Sequence, residues 1–177
     1  MTLSKILNIT LIVLVIGLIG NFVYRLPKFS KRQLAPTFSM AGLKSNTVQL
    51  DSTNSDYVLL HFWGTWCAPC MKKLSSLSAL YASQLDQVYE DSARFRIISI
   101  ALDNDTVKLK DVIEKYNLSW SDHIMESNEF DGDVTKLYGV RKIPTIYLLG
   151  KSNKILLVNP DVTDVANFLE SQPLKKS

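Results

Sequence analysis

Apolar residues along this chain change their spacing from segment to segment, and each spacing predicts an element. The first pattern is an unbroken run: Ile6–Tyr24, ILNITLIVLVIGLIGNFVY, is 19 uncharged and mostly apolar residues, and a helix needs about 20 to cross the hydrocarbon core of a bilayer. The second is the short continuous block of β-formers. Tyr57–Trp63 (YVLLHFW) and Arg96–Leu102 (RIISIAL) predict central strands covered on both faces. The third is helical spacing. From Pro69 to about Tyr89, residues Met71, Leu74, Leu77, Leu80, Tyr81, Leu85 and Val88 recur at intervals of three and four, which predicts an amphipathic helix. Pro69 suits its first turn, where a missing N–H would be unbonded anyway.

Thr106–Asn117 repeats the helical spacing with Val107, Val112, Ile113 and Tyr116 on one side. Strand, helix, strand, helix in that order favours a parallel sheet with right-handed crossovers. Phe38–Ala41 and Thr47–Leu50, around Gly42-Leu43-Lys44-Ser45-Asn46, predict a hairpin ahead of the sheet, and Thr145–Leu149 with Ile155–Val158 a second one behind it. Ser119–Ile124 reads as a short strand and Asp133–Tyr138 as a short helix stopped by Gly139. A last helix spans Val162–Glu170, with Asp161 or Thr163 near its cap. There are no internal repeats. The expected organisation is a tail over 1–5, an apolar anchor over 6–24, a basic linker over 25–34 broken by Pro27, a folded domain over 35–172 and a tail over 173–177.

Charge adjusts this picture. The 177 residues, 46% apolar and 21% charged, suffice for one globular domain plus an appendage. Residues 1–50 carry Lys5, Arg25, Lys28, Lys31, Arg32 and Lys44 with no acid, and 51–177 carry 14 bases against 17 acids, so the net +3 is +6 in front and −3 behind. A nucleic-acid binder would gather bases on its folded part, and that class is set aside. A signal peptide would have a shorter apolar region, and Leu18-Ile19-Gly20-Asn21-Phe22 offers no A-x-A-like cleavage pattern. An uncleaved anchor is therefore favoured over a cleaved signal. Flanking charge complicates its orientation: Lys5 on one side against Arg25, Lys28, Lys31 and Arg32 on the other would by the positive-inside rule keep the domain in the cytoplasm. The same bases could instead rest on anionic headgroups.

The chain has two cysteines, Cys67 and Cys70, in F-W-G-T-W-C-A-P-C-M at the junction of strand and helix. A structural zinc site wants four N or S ligands. Only His61 and His123 could complete one, and His61 lies inside the predicted central strand. A disulfide across so small a loop removes little unfolded-state entropy. Redox exchange is what C-x-x-C after a strand favours directly. At a helix start, open N–H groups and the positive end of the dipole stabilise a thiolate, which makes Cys67 the attacking sulfur. Cys70, one turn further in, is placed to resolve a mixed disulfide by attacking Cys67.

F-W-G-T-W-C-A-P-C resembles the active site of the thioredoxin superfamily, in particular its membrane-anchored TlpA/ResA type of thiol:disulfide oxidoreductase. Separated features agree. Tyr138-Gly139-Val140-Arg141-Lys142-Ile143-Pro144-Thr145 resembles the Y-G-V-x-x-x-P-T signature, and Ala35-Pro36-Thr37-Phe38 resembles the A-P-x-F opening of the type's N-terminal hairpin. The extra helix and strand between Asp103 and Ile124 match its insertion. The resemblance implies an α/β, thioredoxin-like fold with an N-terminal β-hairpin and an inserted helix-strand, behind one transmembrane helix. It implies a cis Pro144 beside the cysteines, with the backbone of Ile143 free to pair with an extended substrate segment, and Trp66 on an exposed apolar rim; Trp63 reads as core. It implies an extracytoplasmic, periplasm-like compartment, with cysteines of exported or membrane proteins as substrates and a membrane or soluble redox partner upstream. No metal or organic cofactor is implied. The resemblance leans towards reductant, with cytochrome c maturation among the family's roles.

This chain departs from the family at two positions. Thioredoxins carry a buried aspartate six residues before the first cysteine and TlpA-type relatives often asparagine, whereas here it is His61; the glutamate that many carry three residues after the second cysteine is Lys73. A neutral imidazole at 61 could accept the Cys70 proton, or be a core histidine bonded to backbone. His123 is expected in a loop or at the surface. Two rivals are weighed. A peroxiredoxin-like peroxidase would need proline at Leu60 and Thr or Ser at Gly64. A copper-handling, Sco-like binding module normally spaces its cysteines C-x-x-x-C and would have His123 as its free ligand.

Overall fold

The computed structural model of the protein describes residues 3–24, 26–90 and 92–175. A helix α1 (Leu3–Tyr24) comes first, its apolar side chains from Leu7 to Tyr24 exposed. At 1.5 Å per residue its 22 residues span about 33 Å, enough to cross a bilayer. A hairpin follows, β1 (Phe38–Ala41) antiparallel to β2 (Thr47–Leu50). The main sheet holds β3 (Tyr57–Trp63), β4 (Phe95–Leu102), β5 (Asp122–Glu126), β6 (Thr145–Leu149) and β7 (Ile155–Val158), in the order β5-β4-β3-β6-β7. Around it lie α2 (Ala68–Gln84), α3 (Thr106–Lys115), α4 (Asp133–Tyr138) and α5 (Val162–Glu170). β3 runs parallel to β4 and antiparallel to β6, and β4 parallel to β5. The two βα crossovers give the parallel half and the β6–β7 hairpin the antiparallel half.

β3 and β4 read as continuous apolar blocks because both of their faces are covered. Alternate side chains enter two separate cores. Leu59, Trp63, Ile97, Ala101, Ile146 and Leu148 pack with Leu74, Leu77 and Leu80 of α2, Leu109 of α3 and Val165 and Leu169 of α5. Val58, Leu60, Phe62, Ile98, Ile100, Leu102, Tyr147 and Leu149 pack with Val48 and Leu50 of the hairpin and with Val134 and Tyr138 of α4.

Three expectations are corrected. α2 ends at Gln84 instead of running to Tyr89, and Leu85 is left exposed. Tyr89 is drawn into a bridge with Leu174 and lies edge-on to the Tyr57 ring at 4.9 Å, and Lys175 N–H donates to Val88 O. Burying the Tyr89 ring outweighs another helical turn. β5 starts three residues later than expected and ends two later, at Asp122–Glu126. His123, expected in a loop or at the surface, is on that strand and 3% exposed. It stacks on Trp120 with ring centroids 5.3 Å apart, and its Nε2 is 3.2 Å from Leu118 O.

The segment after α1 is laid along the domain. Lys28 Nζ donates to Leu137 O at 3.1 Å, Phe29 packs edge-on against Tyr138, and Ala35 N–H donates to Asn153 O. Arg141 donates from Nη1 to Tyr24 O at 2.9 Å and holds its guanidinium 4.1 Å above the Tyr24 ring, a cation–π contact.

Candidate active site

β3 ends at Trp63, and Gly64-Thr65-Trp66 turn the chain into α2, whose N-cap is Cys67. Gly64 is needed for close approach: a side chain there would begin 3.0 Å from both Leu102 O and the Trp66 Nε1. The turn is tied to the end of β4. Thr65 N–H donates to Asp103 Oδ2 at 2.8 Å and Trp66 Nε1–H to Leu102 O at 2.9 Å.

Cys67 and Cys70 are joined by a disulfide, the oxidised form of a dithiol pair. Cys67 Sγ accepts the N–H of Cys70 at 3.2 Å, so the sulfur sits where the first turn of α2 presents its open donors. Pro69 occupies that first turn. Cys67 is 4% exposed and Cys70 fully buried, whereas Trp66 is 47% exposed beside them. Phe130 lies 6.2 Å from Trp66, centroid to centroid, extending the apolar rim. The Ile143–Pro144 bond is cis. Ile143 packs against the core cluster that contains both cysteines. Trp66, Cys67 and Cys70 thus sit together at the start of α2, and the residue before the cis proline packs against the cluster that holds both cysteines. Phe130 also lines a groove of about 420 Å³ with Tyr24, Val140 and Arg141, among others.

His61 is on β3 and fully buried. Its ring is stacked parallel to Trp63 at 5.9 Å, and neither ring nitrogen has a hydrogen-bond partner among the described residues. Burial pushes its pKa down to about 3, helped by the positive charge of Lys73. The imidazole is thus neutral. Across the sheet its neighbours are Ser99 and then His123, so β3, β4 and β5 share a buried polar row. Ser99 Oγ accepts from Trp120 Nε1 at 3.1 Å. Lys73 points to α5 and pairs with Asp161, and this pairing holds the Asp161 carboxyl below its usual range.

Two buried carboxylates were not singled out from sequence, Asp103 at 3% and Glu126 at 4% exposure. Each follows or ends an apolar strand, the one sequence signal that marks them. Glu126 accepts the N–H of Val134 at 2.7 Å and of Thr135 at 2.9 Å, with the Thr135 hydroxyl as a further donor. It thereby satisfies the start of α4, which leads to the cis proline. Glu126→Ala would strand these buried donors at about 1–3 kcal/mol each where no water replaces the acceptor. We expect a loss of at least about 2 kcal/mol in urea unfolding, with Glu126→Gln retaining part of it.

The model of the thioredoxin-like family matches residues 54–155. The chain belongs to the thioredoxin-like family. Its matched span runs from the approach to β3 to the start of β7, and so holds the dithiol turn, the insertion of α3 and β5, and the cis proline. Among curated relatives, thiol-disulfide oxidoreductase ResA of Bacillus thuringiensis subsp. konkukian is 27% identical over 154 residues, covering 84% of this chain and 83% of its own. ResA of Oceanobacillus iheyensis is 26% identical over 161 residues, covering 86% and 76%. Among solved structures, the thioredoxin domain of a thiol-disulfide oxidoreductase from Bacteroides vulgatus superposes with a TM-score of 0.69 at 25% identity, over 81% of this chain and 97% of that one. The thioredoxin-like resemblance drawn from F-W-G-T-W-C-A-P-C and Y-G-V-R-K-I-P-T is thus borne out, in its TlpA/ResA type.

Proposed function

We propose that this thiol–disulfide oxidoreductase works as a dithiol reductant on the extracytoplasmic side of a membrane, held there by α1. The observation that carries the exchange chemistry is Cys67 at the N-cap of α2, its sulfur paired with Cys70 beside the exposed Trp66; the direction and the side of the membrane rest on the resemblance to the TlpA/ResA type. In the reduced protein the Cys67 thiolate attacks one sulfur of a substrate disulfide. An S–S bond forms between Cys67 and the substrate, and the other substrate sulfur leaves as a thiolate that takes up a proton. Cys70 gives up its proton and attacks Cys67. The second substrate thiol is released, and two electrons have passed to the substrate, leaving the disulfide seen here.

The substrates are proteins with cysteines, and in our reading these are exported or membrane proteins, including cytochrome c precursors whose cysteines must be reduced before haem attachment. An upstream dithiol must restore Cys67 and Cys70. Trp66 and the backbone of Ile143 would hold an extended substrate segment by strand addition. His61 takes part as a neutral imidazole that accepts the Cys70 proton in passing and does not hold it at rest. In this reading the folded domain is the stretch 35–172, joined at its end by Pro173–Lys175, which pair with Val88–Glu90, with α1 as the anchor and 25–34 as the basic connection between them.

Two measurements test direction and side. Equilibration with glutathione should give a reduction potential near that of thioredoxin, about −270 mV, and far from the oxidant DsbA at about −120 mV. A potential at the DsbA end would make the protein an oxidant. A membrane-impermeant thiol reagent on intact cells should label reduced Cys67; protection until lysis, with the pair shown to be reduced, would place the domain in the cytoplasm.

A further inference from the structure

The exchange chemistry uses two sulfurs and leaves one buried acid beside them without a task. Asp103 lies just past the end of β4. Its Oδ2 accepts the Thr65 N–H at 2.8 Å, and its Oδ1 lies 3.5 Å from Asp105 N. No cation pairs with it among the described residues. Thr65 is two residues before Cys67, so the carboxylate is fastened to the turn that carries the nucleophile, within about 10 Å of its backbone. The neighbouring Leu102 O holds the Trp66 indole. The end of β4 therefore grips the turn at two successive residues.

We infer that Asp103 is a positioning residue for the exchange reaction: it fixes the turn ahead of Cys67, and its negative charge opposes the thiolate there, biasing the pair towards the reductant side. The inference rests on the reading of Cys67 as the attacking sulfur. Two effects act on that thiolate in opposite directions. The open N–H groups at the start of α2 favour the charged form, and a nearby carboxylate disfavours it. A thiolate stabilised without such opposition stabilises the reduced protein and makes the couple oxidising, as in DsbA; a counteracting charge makes it reducing.

The other charged groups around the cysteines do not cancel Asp103. Lys73 of α2 is paired with Asp161 at the start of α5, and His61 on β3 is neutral. Arg141, ahead of the cis proline, is engaged by Tyr24, and Lys142 beside it is exposed. Asp105 faces the N–H groups of Val107 and Lys108 at the start of α3. Asp103 is the buried acid left facing the turn.

Asp103→Asn separates charge from geometry, because its amide oxygen can still accept the Thr65 N–H. In the full-length protein we expect this variant to fold as the parent does. Alkylation of the reduced protein, followed against pH with the modified cysteine identified by mass spectrometry, should show roughly tenfold more thiolate at Cys67 on the acid side of its titration. The potential should rise by about 30 mV, the equivalent of that tenfold change. Asp103→Ala removes the acceptor as well. Thr65 N–H should then lose protection against hydrogen exchange, and exchange with a disulfide substrate should slow by about tenfold beyond the Asn variant. A Cys67 titration and potential unchanged in Asp103→Asn would overturn the electrostatic role. A Thr65 amide still protected in Asp103→Ala, with an unchanged rate, would overturn the positioning role. Should the alanine variant not fold, the asparagine variant alone decides the matter through its titration and potential. Alkylation at Cys70 in place of Cys67 would instead overturn the reading on which the inference rests, and mass spectrometry tells the two failures apart.

Discussion

Cys70→Ser will arrest the protein on its substrates as mixed disulfides at Cys67, and Cys67→Ser will abolish exchange. The structure gives the two sulfurs unequal positions. Cys67 caps α2 and accepts the Cys70 N–H through its sulfur, whereas Cys70 is inside the first turn and fully buried. Cys67 is the one a substrate disulfide can reach, next to the exposed Trp66. Removing Cys70 leaves the attack intact and deletes the step that releases product. Removing Cys67 deletes the attack, and turnover should fall at least about a thousandfold. Non-reducing gels of membranes carrying each variant, followed by mass spectrometry of the shifted bands, supply the check. Covalent adducts that form in Cys67→Ser and are missing in Cys70→Ser would exchange the two roles. The identity of the trapped proteins also distinguishes exported and membrane substrates from cytoplasmic ones.

His61→Leu should flatten the loss of stability in acid, the second large effect. In the unfolded chain the imidazole takes a proton near pH 6.5; in the folded protein burial postpones this to about 3. Above 6.5 both states are neutral at this residue, and it contributes no pH dependence. Between the two values the unfolded state binds more protons, so stability falls as pH is lowered through 6.5, with the full loss reached near 3. At about 1.4 kcal/mol per pH unit the interval corresponds to roughly 4–5 kcal/mol. His123 is shifted in the same direction by burial and leaves the variant a residual acid limb. Near neutral pH the leucine should be neutral or stabilising by about 1 kcal/mol, because it replaces two buried nitrogens without partners. Urea unfolding of both proteins across this pH range measures the difference; parallel curves would show that His61 is not the group responsible. Turnover of the same variant addresses proton transfer separately. We expect a fall of about tenfold or more, and full activity would return His61 to a packing role.

What was legible in the sequence was what depends on neighbours along the chain. The blocks Tyr57–Trp63 and Thr145–Leu149 fall on β3 and β6 as expected, and α5 starts at Val162 behind Asp161. The cysteine motif announced itself because its chemistry needs only a strand, a turn and a helix start. What depends on partners far along the chain was missed. Val88 and Tyr89 continue the helical spacing but are claimed by Pro173–Lys175. His123 looks like a lone polar residue until Trp120 folds over it. Asp103 and Glu126 gave no periodic signal, since each is held by N–H groups of a segment that only the fold brings near.

The fastening of Tyr24 by Arg141 and of Leu137 by Lys28 sets how far the catalytic rim can travel. A flexible stalk would let the domain sweep a volume of solvent around its foot. Here the chain between the two clamps reaches no more than about 14 Å even when fully extended. In the proposed anchoring through α1, searching would become a two-dimensional problem: the reactive sulfur would stay at a set height above the lipid, and a disulfide would meet it by lateral diffusion or by being delivered to that height.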